Sequence, residues 1–402
     1  MNIYSLDSKK CTGCAVCKNL CPHSAIRMES NKEGFLYPII DIDNCIDCGL
    51  CAKKCPQLSD KANDNTFSDH MDLIALSKLQ HLSKYSASGG IFATIAHGLF
   101  SKYEKVCVCG ASFIDGEVQH VIIDKADDIK LLQNSKYVQS NIRSAYARVR
   151  DRLSQGFIVL FSGTPCQVEG IRNFIGCNND KLFTIDIVCH GVPSPLFLKK
   201  DLRLYLKREA NCSGLIFRRK NRLFKSKSQF CMSFYQETNR KKTKVSVLPS
   251  HDPYYNLFMT GCTFRESCYT CKYANLKRVG DITIGDCDTA NLYKDFHPNE
   301  ATSVVMINNP QGKRLWDLLE ELFESQDLDI GREAMVNHQL DHPFPRPEVR
   351  DTIYDEIETL PIEEIALKYS KPHDMKSKMW ETALAILPNS ITNKVLSILK
   401  RQ

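Results

Sequence analysis

Cysteines stand at Cys11, Cys14, Cys17 and Cys21 with Pro22 behind them, and the run returns as Cys45, Cys48, Cys51 and Cys55 with Pro56. Every member of the second run lies 34 residues after its counterpart, so the segment is an internal duplication. Two-residue spacers let three thiolates of one short loop face three corners of a 4Fe–4S cubane. The fourth, three spacers on and ahead of proline, is aimed at the other cluster. The spacing therefore predicts two crossed sets, Cys11, Cys14, Cys17 and Cys55 for one cluster, and Cys45, Cys48, Cys51 and Cys21 for the other. Structural zinc is the alternative, but it favours two separated CxxC pairs over two identical runs of four. Clusters so close together pass single electrons.

More thiols follow. Phe157–Phe161 reads as a buried strand, Ser162-Gly163-Thr164-Pro165 as a tight loop, and Cys166 as the start of an amphipathic helix through Ile175. A helix N-terminus favours a thiolate. Leu182–Val188 reads as the next strand and leads into Cys189-His190-Gly191-Val192-Pro193-Ser194. Strands joined by a crossover helix lie parallel, so Cys166 and Cys189 meet at the edge where open α/β sheets bind ligands. Cys268 and Cys271 add a CxxC from a distant loop. Three readings stay open for these four: a third 4Fe–4S cluster, a dithiol or nucleophilic cysteine site, and inert buried thiols or zinc. Cys262 is a substitute ligand in reserve. Cys107, Cys109, Cys177, Cys212, Cys231 and Cys287 read as small core residues.

Two loops have the composition of a cofactor cradle. Ser86, Ser88, Gly89 and Gly90 open the apolar helix Ile91–Lys102, where bare N–H groups suit a phosphate or serve ordinary capping. Lys136, Tyr137 and Ser140 bring a cation, a ring and a hydroxyl ahead of another helix. No GxGxxG follows a strand, which argues against an ordinary NAD site. His190 is a candidate proton shuttle or a loop cap. Asp281 and Asp286 flank a short apolar strand, either orienting a ligand or closing turns.

The elements that must hold these groups alternate between apolar runs and amphipathic helices. Val106–Cys109 and Ser303–Ile307 are further runs; Asn141–Leu153, Pro195–Arg208 and Gly312–Phe323 are further helices. The fold class expected is α+β or α/β: a dicluster domain over 1–58, a linker over 59–71, a mixed α/β body over 72–345 in two parts (72–155 and 156–345), and a peripheral helical tail over 346–402. The chain has 402 residues, 43% of them hydrophobic and 25% charged, which excludes disordered and fibrous classes. No apolar stretch spans a membrane and no signal core precedes Cys11, so a cytoplasmic location is expected. Nineteen cysteines in a reducing compartment point to metal or redox work. From Arg203 to Lys244 the chain has 13 Lys/Arg against two acids, while the net charge is only +6. That focus is a docking patch or a solvated loop, and it does not make a nucleic-acid-binding chain. The apolar and basic tail Lys376–Gln402 is expected to pack on protein in preference to a membrane.

Taken together, these motifs resemble the coenzyme F420 hydrogenase/dehydrogenase beta-subunit family fused to a 4Fe–4S dicluster ferredoxin domain. The likeness rests on Ser88-Gly89-Gly90, Ser135–Ser140, Gly163-Thr-Pro-Cys-Gln167, Asp186 with Cys189–Ser194, Ser267-Cys-x-x-Cys271 and Asp281–Asp286. It implies FAD in the central domain, with Ser86, Ser88, Gly89, Gly90, Lys136, Tyr137, Ser140, Gly163, Thr164 and Asp286 as candidate cofactor contacts, a 4Fe–4S cluster on the body's own cysteines, and exchange of electrons with a small-molecule two-electron substrate of flavin or deazaflavin type. The basic stretch (Arg218, Arg219, Lys220, Arg222, Lys225, Lys227) is a candidate to steer a partner such as an acidic ferredoxin, or a polyanionic substrate tail. Two aromatic residues usual in the family after Asp286 are replaced by Cys287 and Asp288. The rival classes are a non-enzymatic electron-transfer subunit for a separate catalytic partner and a reductase of surface-polysaccharide synthesis.

Overall fold

A computed structural model describes residues 2–58, 68–176, 179–207, 210–220, 230–238, 241–293, 295–296 and 301–370. The strands in chain order are β1 (Ile26–Ser30), β2 (Leu36–Ile40), β3 (Met71–Ser77), β4 (Val106–Ile114), β5 (Glu117–Ile123), β6 (Ile158–Gly163) and β7 (Leu182–Ile187). Next come β8 (Asn211–Lys220), β9 (Phe230–Thr238), β10 (Lys241–Val247), β11 (Ile282–Asp286), β12 (Ser303–Ile307) and β13 (Phe323–Asp327). Eight of them form one mixed sheet in the order β13-β3-β12-β11-β7-β6-β4-β5. Its centre, β11-β7-β6-β4, is parallel, and antiparallel strands flank it on both sides. Parallel strands buried on both faces must be apolar throughout, which is why Val159-Leu-Phe161 and Leu182-Phe-Thr-Ile185 are short unbroken buried runs.

Along β4, Val106 and Val108 face one core while Cys107 and Cys109 face the other. The first core takes helices Ile91–Lys102 and Pro310–Leu319 through Leu99, Leu315, Trp316 and Leu319. The second takes helices Ala145–Ser154 and Pro165–Ile175 through Tyr146, Val149 and Ile171. Cys14, Ala15 and Val16 of the N-terminal head belong to that second core. A third core gathers Phe35 of the head, Phe197, Phe217, Phe234 and Tyr254, with the three-stranded sheet β10-β9-β8 on its flank.

Some boundaries differ from the sequence reading. The helix expected from Asn141 starts at Ala145, because Asn141 exchanges backbone bonds with Val118 and His120 and holds to the sheet edge. The helix expected to end at Phe323 stops at Leu319, and Phe323 opens β13 against Ser77. Residues after 345 are not peripheral where described: Ile353, Tyr354, Ile357, Ile362 and Ile365 complete the third core. Of the expected linker, residues 59–67 lie outside the described residues, as do Cys177, Arg222, Lys225, Lys227 and the tail from 371 onward. No helix among the described residues is long and apolar enough to cross a membrane.

Candidate iron–sulfur centres

The head turns sharply at Ala15 (φ 58°) and Gly49 (φ 73°), each just ahead of a short helix that carries Cys17 or Cys51. Cys14, Cys17, Cys51 and Cys55 are buried, whereas Cys48 is exposed. Burial pushes the Cys14 thiol up, and Cys55 and Cys17 beside it push further. Burial raises Cys17 as well, with Cys11 and Cys55 next to it. Cys11, Cys14, Cys17 and Cys55 are thus electrostatic neighbours, with Cys51 and Cys166 also near the group. Crowded buried thiolates repel one another, and a cationic iron core relieves that repulsion, so the donor set fits a cluster. Among the described residues no group of three His, Cys, Asp or Glu side chains is gathered around a single metal ion.

The second set comes from three separate segments. β6 and β7 pair in parallel from Val159↔Leu182 to Gly163↔Asp186, so the loops after them leave the same sheet edge. Thr164 caps helix Pro165–Ile175 in a capping box with Gln167, and its hydroxyl lies 3.2 Å from the Cys166 sulfur. Cys189 follows β7, and Glu266–Thr270 forms a short 3-10 turn carrying Cys268. Cys166, Cys189, Cys268 and Cys271 line one pocket together with Thr12, Gln139, His190 and Phe344. Burial is the first cause that lifts these thiols, to about 11 for Cys166 and about 12 for Cys189, and the neighbouring sulfurs add to it. Cys14 of the head feels Cys166 directly. Arg278 braces the arrangement: one terminal nitrogen reaches Asp186 Oδ2 at 2.9 Å and the other reaches Tyr273 O at 2.8 Å, tying β7 to the CxxC loop. Cys262 is buried in the third core and does not line this pocket.

The expected cofactor residues divide. Thr164 and His190 line the pocket, with His190 at its exposed rim. Gly163 and Asp286 end their strands at the same sheet edge, Asp286 in an ion pair with Arg218. The others are engaged inside the protein. Ser86 Oγ donates to Leu82 O at 3.0 Å, Ser88 Oγ to Thr302 O at 2.6 Å, and the Gly89 N–H to Ser303 Oγ at 3.0 Å. A Cβ on Gly89 would stand 2.6 Å from Ala75 O, so the small residue there serves close packing on β3. Gly90 is a left-handed N-cap. Lys136 caps a short helix by donating to Leu132 O, Gln133 O and Asn134 O, and burial lowers its pKa to about 7. Tyr137 packs among Phe217, Tyr255 and Phe258, while Ser140 Oγ accepts from Gln167 Nε2 at 2.9 Å. Asp281 is buried and accepts from the Thr184 N–H at 2.7 Å, which makes it a strand-end anchor. The space enclosed beside the four cysteines is about 40 Å³, well short of the ~300 Å³ at which ligand pockets begin.

Comparison with known proteins assigns two segments of the chain. Residues 158–329 match the C-terminal model of the coenzyme F420 hydrogenase/dehydrogenase beta subunit, and residues 10–58 match a 4Fe–4S dicluster domain. Residues 158–329 are a domain of that beta-subunit family. The chain is also similar to one in the xenon-derivatised F420-reducing NiFe hydrogenase complex of Methanosarcina barkeri, at 16% identity and a TM-score of 0.43, over 71% of this chain and 91% of that one. No curated protein matches it. The chain thus carries a dicluster-type iron–sulfur head ahead of a beta-subunit-type domain. Sequence reasoning missed the residues that brace this beta-subunit domain: Arg265, Arg278, and Glu333, whose buried carboxylate accepts from the N–H groups of Asp288 (2.8 Å) and Thr289 (2.9 Å). Each is a single side chain without a motif, so only three-dimensional proximity reveals it.

Proposed function

We propose that three 4Fe–4S clusters run through this protein, two in the head and a third on Cys166, Cys189, Cys268 and Cys271, and that they link a redox partner to a two-electron substrate. The supporting observation is the convergence of four cysteines from three segments onto one pocket, beside Cys14 of the head. When bound, such clusters supply one-electron steps at potentials set by charge, hydrogen bonds and exposure. The protein's own groups do the tuning. Thr164 offers its hydroxyl to the Cys166 sulfur, Arg278 fixes the CxxC loop, and burial of Cys14, Cys17 and Cys55 keeps water from the inner end. Exposed Cys48 marks the outer end, where a partner such as a ferredoxin docks. His190, exposed at the pocket rim, is the group placed to move a proton for a substrate there.

Flavin is the part of this reading that the residues fit least. The hydrogen-bonding groups of the Ser86–Gly90 loop and of Lys136 are engaged internally. An FAD would supply hydride exchange, held by Gly163, Thr164 and Asp286 at the sheet edge. The same observation favours a second reading, in which the chain passes electrons only and a separate partner carries the catalytic group. Anaerobic purification with iron, sulfide and flavin analysis separates these outcomes. About twelve irons per chain supports three clusters and about eight removes the third. Extractable FAD reducible by a hydride donor supports the enzyme, and its absence supports the electron-transfer role.

A further inference from the structure

Arg218, Arg265, Arg278 and Arg350 are all withdrawn from water. Three of them face carboxylates: Arg218 pairs with Asp286, Arg278 with Asp186 at 2.9 Å, and Arg350 with Glu33 at 2.8 Å. Arg265, 0% exposed, is different. Its Nε donates to Cys11 O at 2.6 Å, one terminal nitrogen to Gln139 Oε1 at 3.0 Å, and the other to Leu36 O at 3.0 Å. All three acceptors are neutral. The guanidinium stacks over the Tyr37 ring at 4.1 Å, and among the described residues no carboxylate pairs with it.

Each of its three nitrogens has a neutral acceptor, but its charge has no carboxylate partner among the described residues, and a buried charge without a counter-charge is strongly unfavourable. An anion therefore belongs nearby. The position supplies two candidates. On one side is the Cys11–Cys14 loop, so close that a Cβ on Gly13 would lie 2.8 Å from Arg265 Nη1. On the other, Gln139, whose Oε1 accepts from Arg265, lines the pocket of the four body cysteines. Gln139 also donates to Thr12 O at 2.9 Å, so one arginine and one amide bridge both thiolate sets.

We propose that Arg265 is the shared counter-charge of the two neighbouring clusters and holds both midpoint potentials up. The inference rests on the three-cluster reading above. A cluster with four thiolate ligands is anionic and gains one further negative charge on reduction. A fixed cation beside it therefore stabilises the reduced form more than the oxidised form. The fork geometry of arginine fits the three acceptors, and lysine would keep the charge while losing the fork.

The test uses the full chain with its clusters loaded, as wild type, Arg265→Gln and Arg265→Lys. Iron is counted per chain, and midpoint potentials are read by redox titration followed by electron paramagnetic resonance. Arg265→Gln is expected to retain iron and to lower the potentials of both adjacent clusters, leaving the outer Cys45–Cys51 cluster nearly unchanged. Arg265→Lys is expected to stay close to wild type. Unchanged potentials in an iron-replete Arg265→Gln overturn the proposal, and so does a Lys variant shifted as far as the Gln variant. If Arg265→Gln loses iron, a Lys variant that keeps both iron and potentials supports the charge role, and a Lys variant that also loses iron assigns Arg265 to bracing alone. A wild type holding about eight irons refutes the third cluster separately, and the inner head cluster then still reports on Arg265.

Discussion

Asp201 and Asp252 are both fully buried and lie against each other, with Tyr205 and Glu363 as the nearby ionisable groups. Burial first, then mutual repulsion, lifts Asp201 well above the usual carboxylate range, and burial lifts Asp252 to about 6. An unfolded chain releases these protons near pH 4. The folded chain therefore holds more protons than the unfolded one from about pH 4 upward. The resulting stability is complete below that pH and is lost as pH rises through the folded pKa values. Asp201→Asn replaces the shared proton with a permanent amide donor, so its urea midpoint should fall less between pH 5 and pH 8 than that of wild type. Parallel curves would deny the shared proton. At Arg278 the expected effect is larger. Arg278→Met leaves Asp186 buried without its partner, at a cost of about 3–5 kcal/mol, visible as a lower Tm. Single residues of this kind were the least legible part of the sequence. Asp186 stood out within a motif, but the arginine 92 positions away gave no local sign of being its partner.

At the scale of elements, legibility followed the range of the interactions. Helix Ile91–Lys102 and the strands around Leu160 and Ile185 have patterns fixed by their own burial, so periodicity read them closely. The parallel pairing of β6 with β7 also followed from local pattern, because the crossover helix between them is short. The segment at Asn141 misled because its backbone answers to β5, a partner that periodicity does not see. Helix Pro165–Ile175 makes the most specific prediction here. Gln167 Oε1 accepts from the Thr164 N–H at 3.1 Å, and its Nε2 donates to Ser140 Oγ at 2.9 Å. Gln167→Leu keeps the volume but leaves those buried groups unmatched, a loss of about 1–3 kcal/mol. Because Cys166 sits in that first turn, the proposed third cluster should shed its iron at lower chelator concentration than the head clusters do. Simultaneous loss of all iron would show that the cap does not act locally.

For the molecule as a whole, the question is whether the head is a tethered module or part of the body. Its contacts favour the second. Arg350 grips Glu33 through both oxygens at 2.9 and 2.8 Å, Lys272 donates to Pro56 O at 2.6 Å, and Asn173 donates to Lys54 O at 3.2 Å. Phe35, and Cys14 with Ala15 and Val16, pack into cores whose other buried residues come from the body. Cluster absorbance and far-ultraviolet circular dichroism should therefore be lost together across a urea titration, as one cooperative unit requires. Glu33→Ala removes the bidentate partner of Arg350 but leaves Glu266 at 3.3 Å as a second carboxylate. The expected cost is accordingly below that of a fully orphaned charge, about 1–3 kcal/mol. Since that loss falls on the joint, the variant should bleach its head clusters at a urea concentration where the body still keeps its circular dichroism. Two separated transitions already present in the wild type would make the head an independent module. Electron passage from Cys14 to Cys166 would then depend on a docking equilibrium instead of on a fixed distance.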